Sequence, residues 1–249
     1  MQAGIFARIV DNLVDNILNH RMETMNLIDR TAETATRVTT EELGRIVRDR
    51  IVREIYVAGQ RLREREISEE FEVSRAQVRE AFSLLVERRL LLREANVGVT
   101  VVRLGPSEIV ELYELRGAVE GLAARLAAQR APDGAWDALV HDFGAPADRM
   151  IETHDMDGYL TLIDRAHSGI VTHAGNAVLQ ETMAQLSDRL AVLARRSILL
   201  PGRTVEGLRL HRALMAALAA RDGDAAEQIK RANLQGACDT LLRFANYVR

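Results

Sequence analysis

The sequence predicts a mainly α protein in two parts: an N-terminal winged helix-turn-helix with a small two-stranded wing, and a C-terminal all-α helical bundle. Three observations carry this. Residues 62–81, LREREISEEFEVSRAQVREA, read as two short helices around a tight turn. Two short runs follow, apolar at 90–92 and β-branched at 99–102, with Asn96 and Gly98 supplying the turn between them. From Gly105 onward the apolar residues recur at helical spacing, and 47% hydrophobic with only 4% aromatic residues suits an Ala/Leu-rich helical protein.

In the helix pair, REREISEEF places Ile67 and Phe71 four residues apart on one face, with acids opposite. Glu72 and Val73 make the turn, and Ser74 is a good N-cap because its side chain can take a free backbone N–H. The second helix, RAQVREAFSLL, puts Val78, Ala81, Phe82 and Leu85 on a buried stripe. Its opposite face carries Arg75, Gln77 and Arg79 in the first turns. A helix-turn-helix reads DNA with the N-terminal residues of its second helix in the major groove. Arginine can fork onto guanine or clamp a phosphate. The competing reading is two surface helices with solvated charges.

Residues 1–38 form a separate N-terminal extension. Phe6, Ile9, Val10, Leu13, Val14, Ile17 and Leu18 recur at helical spacing with Asp11, Asp15 and Asn16 opposite. Acids inside the stretch and the lack of a long apolar run exclude a signal peptide or a membrane span. Such a stripe is expected to pack on the chain's own C-terminal domain or across a dimer.

After the DNA-binding domain at 39–104, Gly105-Pro106-Ser107 makes a hinge, with Ser107 expected to cap the next helix. The bundle is expected to contain about six helices, at 107–131, 132–153 (interrupted near Gly144-Ala145-Pro146), 157–174, 176–199, 204–221 and 224–247. Gly175, Pro201-Gly202 and Asp222-Gly223 mark breaks between them.

Charge is informative only locally. The net charge is −3, and 40–103 holds thirteen arginines against twelve acids. The arginines at 63, 65, 75, 79 and 93 nevertheless cluster near the expected DNA face. Cys238 is the single cysteine, so an internal disulfide is excluded and a reducing cytoplasm fits. No nucleophile–base spacing and no Gly-rich phosphate loop point to an enzyme.

The run from about Thr40 to Val102 resembles the winged-helix domain of the GntR superfamily of bacterial transcription regulators. The matching pieces are Ile51…Ala58-Gly59-Gln60-Arg61-Leu62, Glu64-Arg65-Glu66-Ile67, Val73-Ser74-Arg75-Ala76-Gln77-Val78-Arg79-Glu80-Ala81 and Asn96-Val97-Gly98. The family usually has proline at Ala58, glycine near Glu54 and often threonine at Ala76. The resemblance implies DNA contacts from Arg65, Ser74, Arg75, Gln77, Arg79, Asn96 and Gly98.

The bundle resembles the FadR-type C-terminal domain, known as FCD, through Glu111-Leu112-Tyr113-Glu114-Leu115-Arg116 with Glu120, Ala123–Ala128, His167 with Ala174-Gly175-Asn176, and His211-Arg212-Ala213-Leu214. It implies an effector pocket involving Arg116, His167, His211 and Asn233. Many relatives hold a divalent metal there (zinc, nickel or manganese) with one Asp and three His. Here Asp164, His167 and His211 are the possible ligands. Ile163 stands where the aspartate is expected, however, and Asn233 replaces the third histidine with a poor zinc ligand. A pocket without metal is therefore the leading expectation. Arg116 either pairs with an acidic effector or with Glu120 or another acid. His141, His154 and His173 read as surface or loop residues.

The function expected is a cytoplasmic transcription repressor that binds an inverted repeat of double-stranded DNA as a homodimer and responds to a small organic acid. The alternative is a metal- or ligand-binding bundle whose DNA domain is vestigial.

Overall fold

A computed structural model of the protein describes residues 38–94 and 98–245. The expected helix within 1–38 and the expected DNA contact Asn96 lie outside these residues. The first helix, α1 (Thr40–Val52), is capped by the Thr39 side chain, which accepts from Glu42 N at 3.2 Å. Leu43, Val47 and Ile51 repeat every four residues, and all three are buried.

After α1 comes a two-residue strand, β1 (Arg61–Leu62), then α2 (Glu64–Glu70), α3 (Arg75–Glu87), β2 (Leu91–Glu94) and β3 (Gly98–Val101). The sheet has the order β1-β3-β2 and is antiparallel throughout, with Leu91 opposite Val101 and Leu62 opposite Val99. The expected two-stranded wing is present, with a third strand added along β3. Two residues are too short to show an alternation in sequence. What fixes β1 is its pairing with β3, Arg61 opposite Thr100 and Leu62 opposite Val99, extended just upstream by Gly59 N to Val101 O and Val101 N to Gln60 O, each 2.9 Å. Arg50 ties α1 to α2 by donating to Glu70 and, at 2.6 Å, to the Tyr56 hydroxyl, while its guanidinium lies 4.7 Å from the Phe71 ring centroid.

The bundle contains α4 (Pro106–Arg130), α5 (Asp137–Asp142), α6 (Ala145–Glu152), α7 (Met156–Ala174), α8 (Ala177–Ile198), α9 (Arg203–Ala219) and α10 (Gly223–Arg243). Helix α4 packs along α10 and α7, and α9 packs along α10. The first of these helices begins one residue earlier than expected. Gly105 is its N-cap and Pro106 occupies the first turn, so Ser107 does not cap. Proline suits that position, because its fixed φ is helical and its missing N–H has no partner to lose. The expected interrupted helix over 132–153 resolves into α5 and α6, parted at Gly144. Asp155, Asn176 and Asp222 cap α7, α8 and α10. His173, expected at the surface, packs edge-on against the buried Trp136 ring at 5.3 Å.

The two parts share a seam. Val192 of α8 is buried in the winged-helix core beside residues such as Leu43, Phe82 and Leu90. Around it, Arg48 of α1 and Arg88 after α3 both donate to Asp188 of α8, at 2.5 and 3.3 Å, and Arg196 donates to Glu54 at 2.5 Å. The packing leaves a cavity of only about 20 Å³ lined by Ile51, Leu90, Val192 and Arg196 among others.

Candidate DNA-binding and effector sites

The N-terminus of α3 is held by a capping box. The Ser74 hydroxyl accepts from Gln77 N at 3.2 Å, and the Gln77 side-chain oxygen accepts from Ser74 N at 3.2 Å. Gln77 also donates to Val38 O at 3.4 Å. Both residues are thus engaged in shaping the start of α3.

Arg75 and Ala76 lie on the exposed first turn of α3, and Arg75 makes no ion pair among the described residues. Arg79 is held differently: its Nη2 donates to Glu64 of α2 at 2.9 Å, and Nε reaches the same carboxylate at 3.2 Å. That hydrogen bond and the Arg79 charge hold the Glu64 carboxyl below its ordinary range. Arg65 is exposed, 3.7 Å from Glu69. Gly98 opens β3 with φ +108°, a backbone conformation that side chains rarely adopt, and the Arg61 guanidinium lies over it. Arg61, Arg65, Arg75 and Arg93 together make an exposed basic rim along the helix pair and wing.

A buried polar cluster sits in the bundle. Glu120 of α4 is 1% exposed and meets three partners. Arg116 Nε lies at 2.5 Å, Lys230 Nζ at 2.5 Å and His167 Nδ1 at 3.4 Å. Burial opposes the charge on Glu120, but the surrounding Arg116, Lys230 and His167 hold its carboxyl well below the usual range. His211 is buried against Phe143, the rings stacked at 5.1 Å. Burial, followed by the charges of Lys230 and Arg203, pushes its pKa down to about 3, so the ring is neutral. Asn233 Nδ2 donates to His211 Nε2 at 3.3 Å. The Asn233 side-chain oxygen in turn accepts from Arg203, a 9%-exposed residue at the start of α9. Sequence reasoning did not single out Arg203 or Lys230. Lys230, as the only lysine among 33 basic residues, was the one compositional signal available.

The structure brings Arg116 and His167 together on Glu120, and His211 and Asn233 together beside Arg203. Asp164 points to the exposed side of α7. Among the described residues no three His, Cys, Asp or Glu side chains converge as a metal ion would need. With Lys230 and Arg203 facing His211, the residues present do not fit a divalent cation. A cleft of about 250 Å³ at the turn after α4, lined by Trp136, Asp137 and Arg221 among others, shares no lining residue with this cluster.

These features can be set beside known proteins. The description of bacterial regulatory proteins of the gntR family matches residues 39–101, and that of the FCD domain matches residues 111–236. The chain belongs to the gntR family of bacterial regulatory proteins. This GntR regulator is 32% identical over 199 residues to a Paenarthrobacter nicotinovorans protein named as the transcriptional repressor of a D-xylose utilization operon; the match spans 78% of this chain and 86% of the relative. It is 29% identical over 199 residues to the galactonate operon transcriptional repressor of Escherichia coli K12, across 72% of this chain and 86% of that one. A crystal structure of a GntR regulator from Rhodococcus sp. RHA1 superposes with a TM-score of 0.67 at 28% identity, covering 82% of this chain and 97% of that chain. The relatives are transcription regulators rather than enzymes, several of them named as repressors, and this GntR protein is a transcription regulator of that family. Among the described residues no helix is long and apolar enough to cross a membrane.

Proposed function

We propose that this GntR regulator is a repressor that binds an inverted-repeat operator as a homodimer and is controlled by a small organic acid taken up in the bundle. The observation that carries the reading is the seam. Helix α3, which bears Arg75 at its start, is tied at its far end by Arg88, and through Arg48 of α1 and the shared core around Val192, to a helix of the same bundle that encloses the buried charged cluster. A ligand that favours one arrangement of the bundle would therefore bias the placement of α3.

Two further features support the finer parts. Leu115 and Leu122 stand seven residues apart on α4, 45% and 41% exposed, and suit burial against a second copy. A dimer doubles the few base pairs that one recognition helix can read. In this cluster the fixed positive charges of Arg116, Lys230 and Arg203 outnumber its one carboxylate, Glu120, which favours an acid over a neutral sugar. Effector contacts are assigned to the cluster containing Arg116, His167, His211 and Asn233.

The test is selection of fragmented genomic DNA by the purified full chain at low salt, where phosphate contacts are strongest. Recovery of one inverted repeat beside catabolic genes is expected. Recovery of no enriched fragment overturns the regulator reading in favour of a bundle whose DNA domain is vestigial.

A further inference from the structure

Arg203 stands out from the other buried cations of the bundle. Arg116 and Lys230 both rest on Glu120, one on each carboxylate oxygen. Arg203 has only neutral acceptors: its Nη2 donates to the Asn233 backbone carbonyl at 3.0 Å and to the Asn233 side-chain oxygen. Its Nε and Nη1 are buried without a hydrogen-bond partner. The acid nearest in its electrostatic surroundings, Glu206, is exposed and held by Arg209 through both oxygens, at 2.7 and 2.9 Å. A buried guanidinium with no carboxylate is costly unless an anion completes it. Burial accordingly pulls Arg203 below the ordinary arginine range.

The surroundings are built to keep it there. Gly207, one helical turn on, leaves room for the guanidinium; a Cβ at that position would lie 2.9 Å from Arg203 Nη1. The Arg203 charge is felt at the Tyr159 hydroxyl, which is fully buried and has no partner of its own. It is felt also at Tyr113 and at the neutral His211 ring. A buried cation and a phenol that can donate, framed by Asn233 and an uncharged imidazole, form a receptor for one negative charge.

We propose that Arg203, with the buried and unpartnered Tyr159 hydroxyl, is the anchor for the carboxylate of the effector, and that this binding uses no metal. The assignment rests on the organic-acid reading above and locates it at a residue outside the Arg116–Glu120 pair. Arg203 is an anion anchor, whereas Arg116 keeps Glu120 charged.

The test uses the full chain and the smallest matched probes, acetate and its neutral isostere acetamide, in thermal denaturation at constant ionic strength. Acetate is expected to raise Tm by a few degrees in a saturable way, and acetamide is expected to leave it unchanged. Arg203→Gln is expected to abolish the acetate shift while raising the acetate-free Tm, because it removes a buried charge that the protein does not pair. A purely structural arginine would lower Tm on substitution. If Arg203→Gln does not fold, Arg203→Lys and Tyr159→Phe carry the test through a weakened acetate shift. The proposal is overturned by any of three outcomes: no saturable shift in the wild type, an equal shift with acetamide, or an undiminished shift in the Arg203 and Tyr159 variants. Such a failure alongside successful operator recovery removes Arg203 and leaves the regulator standing. An acetate shift without operator recovery does the reverse.

Discussion

Asp188 of α8 accepts a 2.5 Å hydrogen bond from Arg48 of α1, across the line that separates the bundle from the winged helix. The carboxylate is 9% exposed and the arginine 29%, so the pair is shielded from solvent more than surface pairs are. Removing the acid strands Arg48 at the seam and frees the more exposed Arg88. Asp188→Ala is expected to lower stability by about 1–2 kcal/mol, below the range for fully buried pairs because both arginines retain access to water. Asp188→Asn should lose less. Chemical denaturation of the two variants checks this, and an unchanged midpoint for Asp188→Ala would show the contact to be idle.

On the proposed DNA face, Arg75 and Arg79 differ in readiness. Arg75→Ala should weaken operator binding roughly 10- to 100-fold, the usual cost of one good base or phosphate contact. Arg79 must first leave Glu64, so Arg79→Ala should cost less than Arg75→Ala. Glu64→Gln should tighten binding, because it removes an acid from the face and frees Arg79. Fluorescence anisotropy on one operator fragment ranks all three, and a weaker-binding Glu64→Gln would contradict the assignment.

The pH dependence of stability follows from His211. Its folded pKa is about 3, below the ordinary 6.5 of the unfolded chain. Below pH 6.5 the unfolded state takes up a proton that the folded state refuses, so stability falls as pH falls and is fully present above that value. The loss between pH 7 and pH 5 should be about 2 kcal/mol. Glu120, also lowered in the fold, adds to the loss below its unfolded pKa. Denaturation of wild type and His211→Gln at both pH values tests this. The variant should lose most of the slope above pH 5.

Glu54 sits at φ +58°, in the left-handed region that favours glycine, which is the residue the family usually has nearby. The glutamate in return takes the Arg196 hydrogen bond at the seam. Glu54→Gly loses the pair but relieves the backbone, whereas Glu54→Ala loses the pair and keeps the strain. The glycine variant should therefore be the more stable by roughly 1 kcal/mol. Equal midpoints would mean that the backbone there is not strained.

Local signals made the winged helix legible. Ser74 before a 3.6-residue apolar stripe marked the start of α3, and the structure closes that start with a capping box. The β-branched run around Val99 marked a strand in the same way. β1 was not legible, since it owes its existence to β3, some forty residues away. In the bundle, Arg116 with Glu120 is an i, i+4 pair and could be weighed from sequence. Asp188 gave no such signal. Its partners are 100 and 140 residues away, and only the fold makes a mid-helix aspartate a buried one. Arg203 was hidden for the opposite reason, because what distinguishes it is the lack of a carboxylate, which no motif encodes.

Val192 has a consequence for how the protein can be taken apart. It belongs by sequence to the bundle and by packing to the core of the DNA-binding half. A fragment ending at Leu104 would lack one of its own interior side chains and would expose the apolar surface of Ile51 and Leu90 that Val192 covers. The reading head is therefore not a module on a tether. Its interior is completed by the bundle, so a change in the position of α8 is felt as a change in the reading head's own packing.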